Sequence, residues 1–138
     1  MDGDNAMNCA RCGEDKPTNK TMTIFETSHI LIVCLKRFRD GVKDQSEVEV
    51  PFELDGREMM MGVKEGDRDN HRANCRYGLY GVIRHSGWSL HSGHYTASCY
   101  DDTNGWVHYN DSSLHGMNKD EVMREARNGI VLMYRKKY

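Results

Sequence analysis

The chain has 138 residues, a length that suits one domain around one core. Lys and Arg number 19 against 21 Asp and Glu, a net charge of about −2, which leaves no basic footprint for nucleic acid. No apolar run approaches the roughly 18 residues of a membrane span, no signal peptide opens the chain, and five cysteines without framework spacing point to a reducing compartment, cytosol or nucleus.

In chain order, Glu14 to Thr21 is polar, holds Pro17 and reads as a loop, and Met22 to Glu26 reads as a short strand. The apolar run His29 to Phe38 predicts a strand buried on both faces. Asp40-Gly41 is a tight-turn signal, and Ser46 to Leu54, alternating at period two, is its expected hairpin partner. Lys64 to Asn74 is charged and reads as an exposed loop; Tyr77 to His85 reads as a strand. Two more strands follow, Tyr95 to Tyr100 and Trp106 to Asn110, over a turn at Asp101 to Gly105. Asn118 with Glu121 three residues on predicts a capping box, and Asn128-Gly129 ends the helix before a last strand, Ile130 to Lys136. The sum is an α+β chain, mostly antiparallel sheet with one or two short helices.

The hairpin Tyr95 to Asn110 raises a chemical expectation. A pairing of Tyr100 with Asn104 sets His94 opposite Asn110; a pairing with Gly105 sets it opposite Asp111. Either register holds an imidazole by a side-chain oxygen, which fixes its tautomer and leaves the other ring nitrogen to take a proton from a nucleophile. Gly93 leaves room for a substrate backbone. A histidine that simply caps a hairpin is the blander reading of this stretch alone.

The wider pattern narrows the choice. "YGLYGVIRHSGWSLHSGHYTASCY", then "WVHYNDSS", then "GIVLMYRK" resembles the histidine-box half of the ubiquitin-specific proteases, papain-like cysteine peptidases. "LIVCLKRF", "VPFELD" and the pair Cys9 and Cys12 in "CARC" resemble further blocks of that family in the same order, from about Cys9 to Tyr134. The resemblance implies a palm sheet over residues 29–138, a finger-like CxxC segment over 1–28, and no helical thumb. It makes His94 the general base, Asn110 the residue that orients it and Asp111 an adjacent acidic position. Gly93, Tyr95 and Trp88 would lie along the channel for the ubiquitin tail, with Ser86 to Ser92 a mobile loop above it. Ser28 departs from the family, which usually has proline there, and the segment between His85 and His94 is about one residue longer than usual.

The larger departure concerns the nucleophile. The family's cysteine box resembles Asn-x-Gly-Asn-Thr-Cys at the start of a helix, and no such stretch occurs here. A catalytic thiol needs a helix N-terminus or an imidazolium beside it. Cys9 and Cys12 sit in a metal-like knuckle, Cys34 and Cys99 in strands, and Cys75 at the end of a charged loop. The chain therefore reads as a deubiquitinase half-domain, inactive alone, either a piece of a longer enzyme or a naturally short relative. Its expected partners are ubiquitin or a ubiquitinated protein and the upstream half of the same catalytic domain, with neither nucleic acid nor membrane. No cofactor is expected for catalysis. A structural zinc is implied, with Cys9 and Cys12 as half of its site. The alternative is a catalytically dead relative that binds ubiquitin or another partner; an unrelated β-rich domain would need several matching blocks by coincidence.

Overall fold

The computed structural model describes residues 6–17, 19, 22, 24, 27–56 and 75–138. Its elements in chain order are β1 (Met7–Asn8), β2 (Asp15–Lys16), β3 (Ile30–Cys34), β4 (Phe38–Arg39), β5 (Val42–Lys43), β6 (Glu53–Asp55), β7 (Arg76–Ser89), β8 (Ser92–Asp101), β9 (Gly105–Asn110), β10 (Ser113–Met117), α1 (Lys119–Arg127) and β11 (Gly129–Lys136). The expected fold class holds: antiparallel sheet dominates, and one helix occurs among the described residues.

The main sheet runs β10-β9-β8-β7-β11-β3, with β5 and β6 also pairing to β7. The 14-residue β7 is the spine, pairing with β8, β11, β5 and β6. Its alternation drives Tyr77 and Leu79 inward, where Val50, Val82, Trp106, Leu132 and Tyr134 complete the core. Two register shifts against β11, one residue each, relieve strict pairing where Met133 faces Gly81 but Tyr134 faces Leu79. The helix covers this core with Val122 and Ala126, four apart on one face. Its capping box forms as expected: Glu121 N–H donates to Asn118 Oδ1 at 3.0 Å and Asn118 N–H to Glu121 Oε2 at 2.8 Å.

Several expectations are corrected. His29 to Phe38 is not one strand buried on both faces. β3 ends at Cys34, lies at the sheet edge, and alternates, with Leu31 and Val33 against the core while Ile30 and Ile32 are exposed. An apolar run cannot reveal how many of its faces a chain will cover. The partner across Asp40-Gly41 is Val42–Lys43, not Ser46 to Leu54. Asp40 and Gly41 both have positive φ, 51° and 79°, as a two-residue primed turn requires. Ser46 to Phe52 forms no strand; Glu53–Asp55 pairs with β7 instead. Pro51 has no N–H to give a ladder, and the segment is tied down otherwise, by Val48 N–H to Arg127 O at 3.1 Å and Tyr134 Oη to Pro51 O at 2.8 Å. Within Glu14 to Thr21, Asp15 and Lys16 pair with Met7–Asn8. Met22 and Ile24 are not in a strand, and the rest of Met22 to Glu26, like the whole Lys64 to Asn74 loop, lies outside the described residues.

Candidate active site

The β8–β9 hairpin follows neither expected register. Asp101 pairs with Gly105 and Tyr100 with Trp106. The loop between is Asp102 to Asn104, three residues. The Asp101 carboxylate accepts from the N–H of Thr103 at 2.8 Å and of Asn104 at 2.7 Å, and Gly105 turns the chain with φ 73°. Continuing this register sets Asn110 opposite Thr96, so His94 is diagonal to Asn110 on the same face.

That diagonal is a tight contact. His94 Nε2 lies 2.6 Å from Asn110 Oδ1. An amide oxygen accepts, so Nε2 carries the hydrogen and Nδ1 remains the basic nitrogen. Asp111 begins the turn into β10 with φ 49°, and its Oδ2 is 3.9 Å from His94 Nε2, beyond hydrogen-bonding distance. Of the two candidates, Asn110 holds the ring. The His94 side chain is 46% exposed.

At Gly93 the strand makes a close approach inside the protein. A Cβ there would sit 2.0 Å from His85 Nε2 and 2.7 Å from Ser86 O. The space is filled from within the protein by the His85 ring, only 1% exposed. Tyr95 pairs with His85 across β7–β8, and their rings lie 4.8 Å apart. Gly93 and Tyr95 therefore share the face away from the His94 side chain. Trp88 is 79% exposed on the end of β7. Ser86 to Ser92 is not a free loop: β7 runs to Ser89, β8 starts at Ser92, and Leu90 N–H donates to Gly41 O at 3.0 Å. The β4–β5 turn thus braces the hairpin tip that carries His94. His85 was missed in the sequence because a buried histidine and a surface histidine look alike there.

Cys99, in the same strand as His94, is not placed to act as a nucleophile for this imidazole. Cys99 lies five residues along β8, about 16 Å away at the usual strand rise and on the opposite face. Burial pushes its thiol above the usual range. A second serine–histidine–carboxylate array exists, with Ser98 Oγ 3.0 Å from His108 Nδ1 and Glu125 Oε2 3.8 Å beyond that nitrogen. Ser98 is 1% exposed and its hydroxyl also meets Met117 Sδ at 3.3 Å, so it packs rather than reacts.

Cys9 and Cys12 occupy the knuckle between β1 and β2. Gly13, with φ 70°, lets its N–H donate to Cys9 O at 2.7 Å. The N–H groups of Arg11 and Cys12 hold the Cys9 thiol below its usual range, which suits a metal-bound thiolate. No third His, Cys, Asp or Glu gathers with the pair among the described residues. The donor set fits half of a zinc site. The 138-residue chain should therefore lose zinc on dialysis against a mild chelator, and metal analysis showing one zinc retained per chain would reveal a complete donor set.

The chain matches the ubiquitin carboxyl-terminal hydrolase family over residues 3–134. It is 31% identical over 136 residues to human ubiquitin carboxyl-terminal hydrolase 17-like protein 10, covering 97% of this chain and 24% of that one. Identity to human 17-like protein 6 is also 31%, with 32% of that protein covered. The chain thus spans about a quarter to a third of these relatives. Among solved structures, the SAGA Ubp8/Sgf11/Sus1/Sgf73 DUB module bound to ubiquitin aldehyde superposes with a TM-score of 0.80 at 26% identity, over 99% of this chain and 30% of that one. A related module bound to monoubiquitin, at 22% identity and a TM-score of 0.79, covers 98% of this chain and 29% of that one, and supports the fold.

Proposed function

The chain belongs to the ubiquitin carboxyl-terminal hydrolase family, and we propose that it supplies the histidine and its orienting amide to a thiol-dependent hydrolase acting at the C-terminus of ubiquitin. The observation that carries this is the 2.6 Å contact from His94 Nε2 to Asn110 Oδ1, which leaves Nδ1 as an oriented base. The names of the relatives and the ubiquitin aldehyde held by the superposed module support the substrate class.

In the proposed reaction, His94 Nδ1 accepts the proton of a cysteine thiol contributed by a segment outside these 138 residues. The thiolate attacks the carbonyl carbon at the end of ubiquitin, and a carbon–sulfur bond forms. The carbon–nitrogen bond then breaks as the imidazolium gives its proton to the leaving lysine amine. Water resolves the thioester, its proton passing to His94 and then to the departing thiolate. Asn110 keeps the ring in one tautomer throughout. The reading places the protein in the cytosol or nucleus, with the cysteine-bearing half of the domain as its intimate partner; residues 29–138 form its palm and 1–28 its finger-like segment.

Hydrolysis of a fluorogenic ubiquitin amide tests this. The chain alone should give no turnover. Joined to the cysteine-box half of a human relative, it should turn over substrate, and His94→Ala should abolish that. Turnover by the chain alone, lost on replacing one of its own five cysteines, would show that the nucleophile is internal. A completed domain that binds ubiquitin yet cleaves nothing would favour the binding-module reading, for which the missing cysteine box is the supporting observation.

A further inference from the structure

Beneath the tip of the β7–β8 hairpin lies a cavity of about 200 Å³, lined among others by Lys43, Gln45, Arg84, His85, Gly87 and Asn128. Its walls are unusual in charge. Lys43 is 6% exposed, yet among the described residues its ammonium is bonded only to the His85 carbonyl oxygen. Arg37, next to it, is 4% exposed and donates only to backbone carbonyls. Arg84 has one carboxylate, Glu125 at 3.1 Å, which also faces His108. Asp44, the neighbour in sequence, accepts the Ser46 N–H at 2.9 Å instead. Glu47 is turned to Arg127 at 3.7 Å. The same cavity wall holds His85, whose Nδ1 is buried without a hydrogen-bond partner.

Buried charge is normally paired, and a buried polar nitrogen is normally bonded. Here the buried ammonium of Lys43 has no carboxylate bonded to it among the described residues and the His85 imidazole has a nitrogen without a partner, both on residues that line one small cavity. The amides of Gln45 and Asn128 add neutral donors; Gln45 Nε2 already reaches Gly87 O at 2.9 Å. The consequence of this crowding is visible in Lys43, whose ammonium is disfavoured by burial first and by Arg37 and Arg84 next. From this arrangement we infer that the cavity is a binding site for a small inorganic oxyanion of the sulfate or phosphate class. Such an ion would accept from Lys43 Nζ, Arg84, His85 Nδ1–H and the side-chain amides at once. The cavity borders Ser86, which pairs with His94, and Trp88, but its donors lie on residues other than His94 and Asn110, and the inference does not depend on the hydrolase reading. Its volume admits a tetrahedral ion and excludes a peptide.

Sulfate is the better probe, because its charge is constant across neutral pH. Titration of the chain with sodium sulfate at fixed ionic strength should produce saturable NMR shifts at the Gly87 amide, the Gln45 side-chain amide and the His85 ring. Chloride should not reproduce them. Loss of one charged donor should weaken the affinity at least ~10-fold in Lys43→Met and Arg84→Gln, by the worth of a charged hydrogen bond. Where Lys43→Met does not fold, Arg84→Gln and Gln45→Leu decide, the latter sitting on an exposed side chain. Shifts that rise linearly, that chloride matches, or that persist unchanged in Arg84→Gln and Gln45→Leu would overturn the inference.

Discussion

Gly93→Ala should destabilise the domain by about 3 kcal/mol or more, at the upper end of overpacking costs. The added methyl would sit 2.0 Å from His85 Nε2, 2.4 Å from His85 Cε1 and 2.7 Å from Ser86 O. The first two atoms belong to a buried ring flanked by Tyr95 at 4.8 Å and Phe38 at 5.4 Å between ring centroids. The third is backbone of the paired strand. Relief therefore requires β7 and β8 to part next to His94, and the His94–Asn110 contact should go with them. Urea unfolding measures the cost. His85→Ala alone should also destabilise, through its lost packing, but the double variant should lose less than the two single losses combined, because the same overlap is removed. A Gly93→Ala variant within about 0.5 kcal/mol of wild type would show that the strands adjust freely, and the packing account of Gly93 would be wrong.

His85 and Gly93 also mark where sequence reading stopped. The strands of the histidine-box half were legible because their alternation is strong, and the capping box at Asn118 because both partners are local. The Asp40-Gly41 turn was legible, but its partner strand was not: a two-residue turn fixes only the residues beside it, and of Ser46 to Leu54 only Glu53 and Leu54 pair, with β7. The register of β8 against β9 failed by one or two residues because Asp101 and Gly105, read as turn residues, pair with each other and leave Asp102 to Asn104 as the loop. His94 nevertheless meets Asn110, since a diagonal pair on one face, though farther apart than a direct pair, is still within reach of side chains of this length. β10 escaped notice because Ser113–Met117 is mostly exposed and weakly alternating. The buried cations Arg37 and Lys43 sit in a charged stretch that reads as surface, and only the fold turns them inward.

Arg37→Met should cost about 3–5 kcal/mol, the range for removing one partner of a buried charged network. The guanidinium joins pieces of chain that no sheet ladder connects. Its Nε donates to Gly129 O at 2.7 Å, one terminal nitrogen to Arg127 O at 2.6 Å, and the other to Ser46 O at 2.5 Å and Asp44 O at 3.4 Å. Arg127 O belongs to the last turn of α1, where the helix's unpaired carbonyls carry partial negative charge. Gly129 O opens β11, and Asp44 to Ser46 is the segment that follows the β4–β5 turn. Methionine fills much of the volume but removes all of these donations at a site where Arg37 is 4% exposed, and leaves Arg127 O with the Val48 N–H alone. Lysine should rescue only part of the loss, because a single ammonium cannot reach carbonyls lying in three directions as a planar fork does. Replacement should also loosen the β4–β5 turn that braces Leu90, so hydrogen exchange at Leu90 should quicken beyond the global loss of stability. Arg37→Met within about 1 kcal/mol of wild type, or Arg37→Lys equal to wild type, in urea unfolding would show that the network is ornamental and that the sheet alone holds the hairpin bearing His94.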